Sequence, residues 1–233
     1  MNILKNTPPP LETGNQLLVK GLHRRSFLKW AGGAATVSSL ILTGCKDDDP
    51  VITTGEVNLG TGDFAVLNYA YALEQLEAAF YTKVIESQFT GITADETALL
   101  TDIRDHEIAH REFFKAALGS NAIGNLNVDL SSINFSSRES VLNTAKTFED
   151  LGVAAYNGAG RFITSPDYLA LAGKIVSVEA RHAAYIRDLL SNGSFADNTV
   201  VDSNGLEMSK DPAAVLQAAA PFIKNTINAS ALA

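Results

Sequence analysis

The sequence predicts an all-α protein: a four-helix bundle of two helical hairpins joined by a long crossover, plus a short C-terminal helix. Three observations lead there. Apolar residues recur at steps of three and four over four long stretches between residues 63 and 190, the period of one helical face. The first and second stretches are separated by a short turn, as are the third and fourth, whereas residues 119–137 separate the second from the third. Capping signals also stand where the stretches begin.

The first helix is expected from Asp63, read as its N-cap, to about Glu86, with Phe64, Leu67, Tyr71, Glu74, Ala78, Tyr81 and Ile85 on one face. Thr93 and Glu96 have the spacing of a capping box for a second helix reaching about Leu118. Its stripe is Leu100, Ile103, Glu107, His110, Phe114 and Ala117. Residues 119–137, rich in Gly, Asn and Ser, read as an extended crossover. A third helix is expected over Arg138–Ile163, with Ala145, Glu149, Gly152, Tyr156, Ala159 and Ile163 in line. Ser165-Pro166 starts the fourth, with Pro at the first helical position. Its stripe is Tyr168, Ala172, Ile175, Glu179, His182, Ile186 and Leu189. Residues 191–210 have loop composition, and Pro212 to about Asn225 reads as a short fifth helix that Pro221 bends or divides. The expected organisation is therefore a signal segment (1–44), a polar linker (45–62), the bundle (63–191) and a C-terminal loop and helix (192–233) packing on it.

Each stripe contains an anomaly, a carboxylate on the face that should be apolar. The anomalies form one signature written twice. Glu74 is followed seven residues later by Tyr81, and then come Glu107 and His110 as Glu-x-x-His; Glu149, Tyr156, Glu179 and His182 repeat the order. A Glu and a His three residues apart lie one turn apart on one helical face, so both reach the same ion. Two such pairs plus one Glu from each of two other helices supply six ligands, the donor set of dinuclear carboxylate centres in helical bundles. Four carboxylates offset two divalent cations. Without metal, four buried carboxylates are very costly and protonate or unfold the bundle. Oxygen donors with one imidazole per ion suit iron or manganese better than a thiolate-preferring metal.

Helix one offers a second acid, Glu77, close to Glu74 around the helix axis. The repeat selects Glu74, which alone has a tyrosine seven residues later, and leaves Glu77 as a lesser metal-ligand candidate or a hydrophilic flank. Tyr81 and Tyr156 lie two turns from the ligand glutamates on the same faces. They read either as core residues whose hydroxyls bond a carboxylate across the bundle or as redox-active relays. His106 is one residue away from Glu107 and so off the stripe; it reads as a surface histidine or one that supports a ligand from behind.

Several of these segments resemble a known family. Leu67-Asn68-Tyr69-Ala70 through Leu73-Glu74-Gln75-Leu76-Glu77-Ala78-Ala79-Phe80-Tyr81 is similar to the first helix of the ferritin-like proteins grouped with desiccation-related proteins. His106-Glu107-Ile108-Ala109-His110, Gly152-Val153-Ala154-Ala155-Tyr156 and Val178-Glu179-Ala180-Arg181-His182 resemble its later helices. The resemblance covers roughly residues 63–226. It implies a ferritin-like four-helix bundle with a di-iron or di-manganese site, and much less about the reaction.

The N-terminus carries a different message. Arg24-Arg25-Ser26-Phe27-Leu28-Lys29 resembles the twin-arginine export signal, and an apolar run from Trp30 to Leu42 follows. That run is shorter than the ~20 residues of a membrane-spanning helix. Leu42-Thr43-Gly44-Cys45 resembles a bacterial lipoprotein cleavage box, so the expected mature chain begins at a lipidated Cys45 and is tethered to a membrane. Lys46-Asp47-Asp48-Asp49-Pro50 reads as a solvated spacer and also resembles the charged export tags of some Bacteroidetes-type lipoproteins. The expected location is periplasmic or cell-surface.

Residues 1–44 hold five Lys/Arg and one Glu, so their removal takes the net charge from −8 to −12. A domain that acidic repels nucleic-acid phosphates. Cys45 is the only cysteine; once lipidated it leaves no thiol for disulfides, iron–sulfur clusters or a Cys-x-x-Cys electron acceptor. The expected function is a di-metal oxidoreductase of the catalase, peroxidase or ferroxidase type, with H2O2 or O2 as its small oxidant. The competing expectation is a non-catalytic envelope protein with a structural metal. An iron-storage cage accords poorly with a tethered chain.

Overall fold

The computed structural model describes residues 55–233. The twin-arginine segment, the apolar run, Cys45 and most of the spacer lie outside the described residues. Among the described residues no helix is long and apolar enough to cross a membrane.

The architecture is helical, as the periodicity predicts: α1 Asp63–Glu86, α2 Ala94–Leu118, α3 Arg138–Ala159, α4 Pro166–Leu190 and a short α5 Pro212–Ala219. α1 packs mainly on α2, and α3 mainly on α4, giving two hairpins whose inner faces meet. Local chemistry sets the helix starts. The Thr93 side chain accepts the Glu96 N–H and Glu96 accepts the Thr93 N–H, closing the expected capping box on α2. Ser137 and Ser165 cap α3 and α4, and Pro166 occupies the first turn of α4.

Four details differ from the sequence reading. Gly62, not Asp63, is the cap position of α1, with φ of 59°. Asp63 turns its carboxylate away to accept bonds from the Thr164 and Ser165 N–H groups and the Thr164 hydroxyl, fastening the start of α1 to the α3–α4 turn. α3 ends at Ala159, and Gly160–Phe162 tighten into a 3-10 turn short of Ile163. The last helix ends at Ala219, and Pro221 falls within the following 3-10 turn.

The fourth difference is larger. Residues 56–58 belong to the stretch read as linker, yet they form a strand (β1) paired in parallel with Thr226–Asn228 (β2), in register Glu56 to Thr226. Val57 and Leu59 are buried there. α1 is consequently covered on nearly every side, from Ala65 through Ala78 without a break, rather than along one stripe. Two polar residues on its outer face serve that cover. Asn68 donates to the carbonyls of Leu59 and Asn121 and accepts the Ile123 N–H. Gln75 accepts the Leu126 N–H. These bonds pin the crossover to α1 and satisfy backbone groups that helix and sheet leave unpaired.

At the other hairpin, buried Arg187 on α4 makes a bidentate pair with Asp150 of α3 at 2.8 and 2.9 Å and donates to Thr199. That holds the loop after α4 against the bundle and fixes the α3 turn that carries Glu149.

Candidate metal centre

The repeated signature converges at the middle of the bundle. Glu74 comes from α1, Glu107 and His110 from α2, Glu149 from α3, and Glu179 and His182 from α4. The four glutamates are wholly buried, and the two histidines nearly so. Their potential donor atoms form two overlapping groups, each within 4.8 Å: Glu74, Glu107, His110 and Glu179; and Glu107, Glu149, Glu179 and His182. Glu107 and Glu179 belong to both groups, whereas Glu74 with His110, and Glu149 with His182, belong to one each.

Distances follow the two-fold pattern of the sequence. His110 Nδ1 lies 2.8 Å from Glu179 Oε1 and 3.5 Å from Glu74 Oε2 and from Glu107 Oε2. His182 Nδ1 lies 2.8 Å from Glu107 Oε1 and 3.5 Å from Glu149 Oε2. Each imidazole therefore approaches the carboxylate of the opposite Glu-x-x-His pair most closely. The tyrosines cross in the same manner. The Tyr81 hydroxyl donates to Glu149 and the Tyr156 hydroxyl to Glu74, so each half's tyrosine orients the other half's glutamate.

These contacts are close but poorly directed for hydrogen bonding. The Nδ1 atoms of both histidines, both oxygens of Glu107 and Glu179, and Oε2 of Glu74 and Glu149 are buried without a hydrogen-bond partner. Hydrogen bonds need alignment as well as distance, and these atoms instead crowd about two points, within 4.8 Å of one another in each group. Leaving so many polar atoms orphaned is costly. A shared cation at those points removes the cost, so the donor set fits a metal.

The electrostatics agree. Burial raises Glu74 to about 7, against its hydrogen bonds and despite the nearby imidazole. Burial also raises Glu149 and Glu179, with neighbouring carboxylates adding repulsion. For Glu107 burial works in the same sense, but the two imidazoles that approach it, His110 and His182, outweigh it and hold the group down at about 2. Burial opposes the charge on both histidines, yet surrounding carboxylates lift His110 to about 12 and His182 to about 10. The shifts of His110 and Glu179 compete across one 2.8 Å contact, where both partners favour holding the proton. Whichever atom carries it, the metal-free cluster retains protons that a cation would displace.

Glu77 lies in neither group. It is nevertheless buried, and burial together with the charge of Glu179 raises it well above the carboxylate range. Its Oε1 rests against α3 at Gly152, where a Cβ would come within 3.1 Å of it and 3.7 Å of Glu179 Oε2. A glycine inside a helix costs about 1 kcal/mol relative to alanine; here it leaves room for two carboxyl groups. His106, read as a surface histidine or one that supports a ligand from behind, is exposed on one side and places Nδ1 2.9 Å from Nε2 of His182, as the second reading has it. The sequence signal for that contact was weak, because the two residues lie on different helices with no periodic relation.

A bundle of two helical hairpins with buried carboxylates and imidazoles converging at its centre defines a class of protein, the helical bundles whose central cluster could hold metal. The sequence model of the ferritin-like domain family matches residues 62–192, more than half of the 233. The chain belongs to that family. No curated protein matches it as a relative.

Proposed function

We propose that this protein is an exported, lipid-anchored ferritin-like protein whose central cluster holds two iron or two manganese ions and acts on peroxide, dioxygen or oxidisable metal in stress protection. The observation that carries the dinuclear reading is the pair of overlapping ligand groups sharing Glu107 and Glu179. In this reading Glu74 and His110 complete one position, and Glu149 and His182 the other. Bound iron or manganese would supply two-electron redox capacity at adjacent centres. The chain's own residues do the rest. Glu107 and Glu179 would contribute to both ion positions, the crossed tyrosines hold Glu74 and Glu149 in place, and the α1 cover keeps bulk water from the cluster.

A small apolar cavity of about 30 Å³ lies against Tyr156, bounded by Leu73, Phe114, Ala155 and the α3–α4 turn at Ile163. Export and anchoring rest on the order of the N-terminal motifs: basic pair, apolar run, cleavage box and spacer.

The second reading is a structural metal in a non-catalytic envelope or desiccation-related protein, and the zero exposure of the four glutamates favours it. One experiment separates the two. Elemental analysis of protein purified from its own envelope is followed by a peroxide-consumption assay on the same sample. Two equivalents of Fe or Mn with turnover support the enzyme; metal without turnover, and a melting temperature that drops on chelation, support the structural role. Absence of bound metal refutes both.

A further inference from the structure

The two halves of the signature look equivalent in sequence, but the protein treats them differently behind the histidines. His182 points Nδ1 into the cluster and Nε2 outward, 2.9 Å from His106 Nδ1. The two rings are 11° from parallel with centroids 5.2 Å apart. A 2.9 Å N···N contact plus the two ring radii accounts for that whole centroid separation. The rings therefore lie edge to edge in nearly one plane, with the hydrogen bond in line, rather than face to face.

The other half has no such device. The position corresponding to His106, immediately before the second Glu-x-x-His, is Val178, which has no hydrogen-bonding side chain. His110 Nε2 has no hydrogen-bond partner among the described residues.

We propose that His106 is the positioning residue for His182, and that it makes the two metal positions unequal. The inference rests on the dinuclear reading above. The chemistry is a tautomer argument. If His182 binds a cation through Nδ1, its one ring proton must sit on Nε2. That N–H donates to His106 Nδ1, so the His106 proton sits on its own Nε2, facing outward. A donor bond from the outward nitrogen of a ligating histidine fixes its ring and raises its basicity. His182 therefore binds as a pre-oriented ligand, while His110 must be ordered by the ion itself. The tighter position is the one completed by Glu149 and His182.

The test uses the full chain, with Mn(II) for affinity and Zn(II) as a diamagnetic probe. The wild type should bind two ions in two resolved steps by titration calorimetry. His106→Val, which copies the other half, should weaken one step by roughly 10–100-fold and bring the two affinities together. His106→Asn carries an acceptor oxygen where Nδ1 stands and should restore that step to within a few-fold. In the Zn-loaded wild type, 15N shifts should report His182 and His106 both protonated at Nε2. Because His106 is exposed on one side, each variant should fold and melt within a few degrees of the wild type in the metal-free state. Unchanged affinities in His106→Val, failure of His106→Asn to rescue, or a His106 proton on Nδ1 would overturn this proposal and leave the dinuclear reading intact. Failure of the wild type to bind either ion would overturn both.

Discussion

Removing metal and varying pH tests the central cluster most directly. His110, His182 and Glu74 all have folded-state values above their ordinary ones: about 12 and 10 against 6.5, and about 7 against 4.5. For a group raised in this way, the stabilising contribution is complete below the unfolded value and is lost as pH climbs toward the folded one. Near neutrality the unfolded chain has released its Glu74 proton and most of the two imidazole protons. The folded, metal-free protein keeps both imidazole protons and part of the Glu74 proton. The folded state thus holds about two more protons, and its stability should fall by roughly 3 kcal/mol per pH unit. Glu149 acts in the same direction, and the proton that Glu179 shares with His110 is already in the count. Glu107, held at about 2, is ionised in both states between pH 6 and 8 and adds nothing to the slope. At ~2–4 °C per kcal/mol, the melting temperature of the chelated protein should drop by about 5–10 °C from pH 6 to pH 7 and continue downward to pH 8. Metal affinity should rise over the same range, because binding expels those protons, so the loaded protein should lose less or gain. Differential scanning calorimetry of chelated and reloaded samples reads both. A metal-free melting temperature that is flat or rising from pH 6 to 8 would refute the protonation scheme.

The shared and unshared glutamates should separate by stoichiometry: Glu107→Gln or Glu179→Gln should lose both ions, while Glu74→Gln or Glu149→Gln should retain about one equivalent by elemental analysis. Tyr81→Phe and Tyr156→Phe each remove the donor to a buried carboxylate, so each should lower stability by about 1–3 kcal/mol in urea denaturation. Peroxide turnover unchanged in both would eliminate the electron-relay role. Gly158→Ala brings a Cβ to 1.8 Å from the Lys210 carbonyl oxygen. The residue 208–211 segment must then move and give up the Lys210 N–H bond to the Ala154 carbonyl. That variant should lose about 1–3 kcal/mol and gain a protease-sensitive site near Lys210, despite alanine's better helix propensity.

Much of this protein is legible along the chain because the decisive signals are local. Helical periodicity places Glu74, Glu107, His110, Glu149, Glu179 and His182 on inward faces, and once four helices pack inward those residues have one place to meet. The Thr93–Glu96 cap and Pro166 mark helix starts with chemistry confined to one turn. A tyrosine hydroxyl bonded to a carboxylate across the bundle was one of the two sequence readings, and the structure has it; which glutamate accepts each bond was open, because spacing along one helix says nothing of Glu149 or Glu74 across the bundle.

Pairing between distant segments is where periodicity stops informing. β1 and β2 are joined by backbone bonds between residues 56–58 and 226–228, and three-residue strands carry too little pattern to announce a partner. The same distance effect hid the all-round burial of α1, since Asn68 and Gln75 look solvent-facing until the crossover covers them. Glu77 lies outside both ligand groups, with its carboxyl against Gly152 of α3, a contact between helices that spacing along α1 does not reveal. The sequence by itself determined which six side chains lie on the inner faces of four helices, because a helix repeats every 3.6 residues whatever surrounds it. Only the tertiary structure decided that Glu107 and Glu179 are shared between the two groups, and that His106 stands behind His182 while Val178 takes the matching position in the other half. Those relations are distances between helices, fixed by how the hairpins pack.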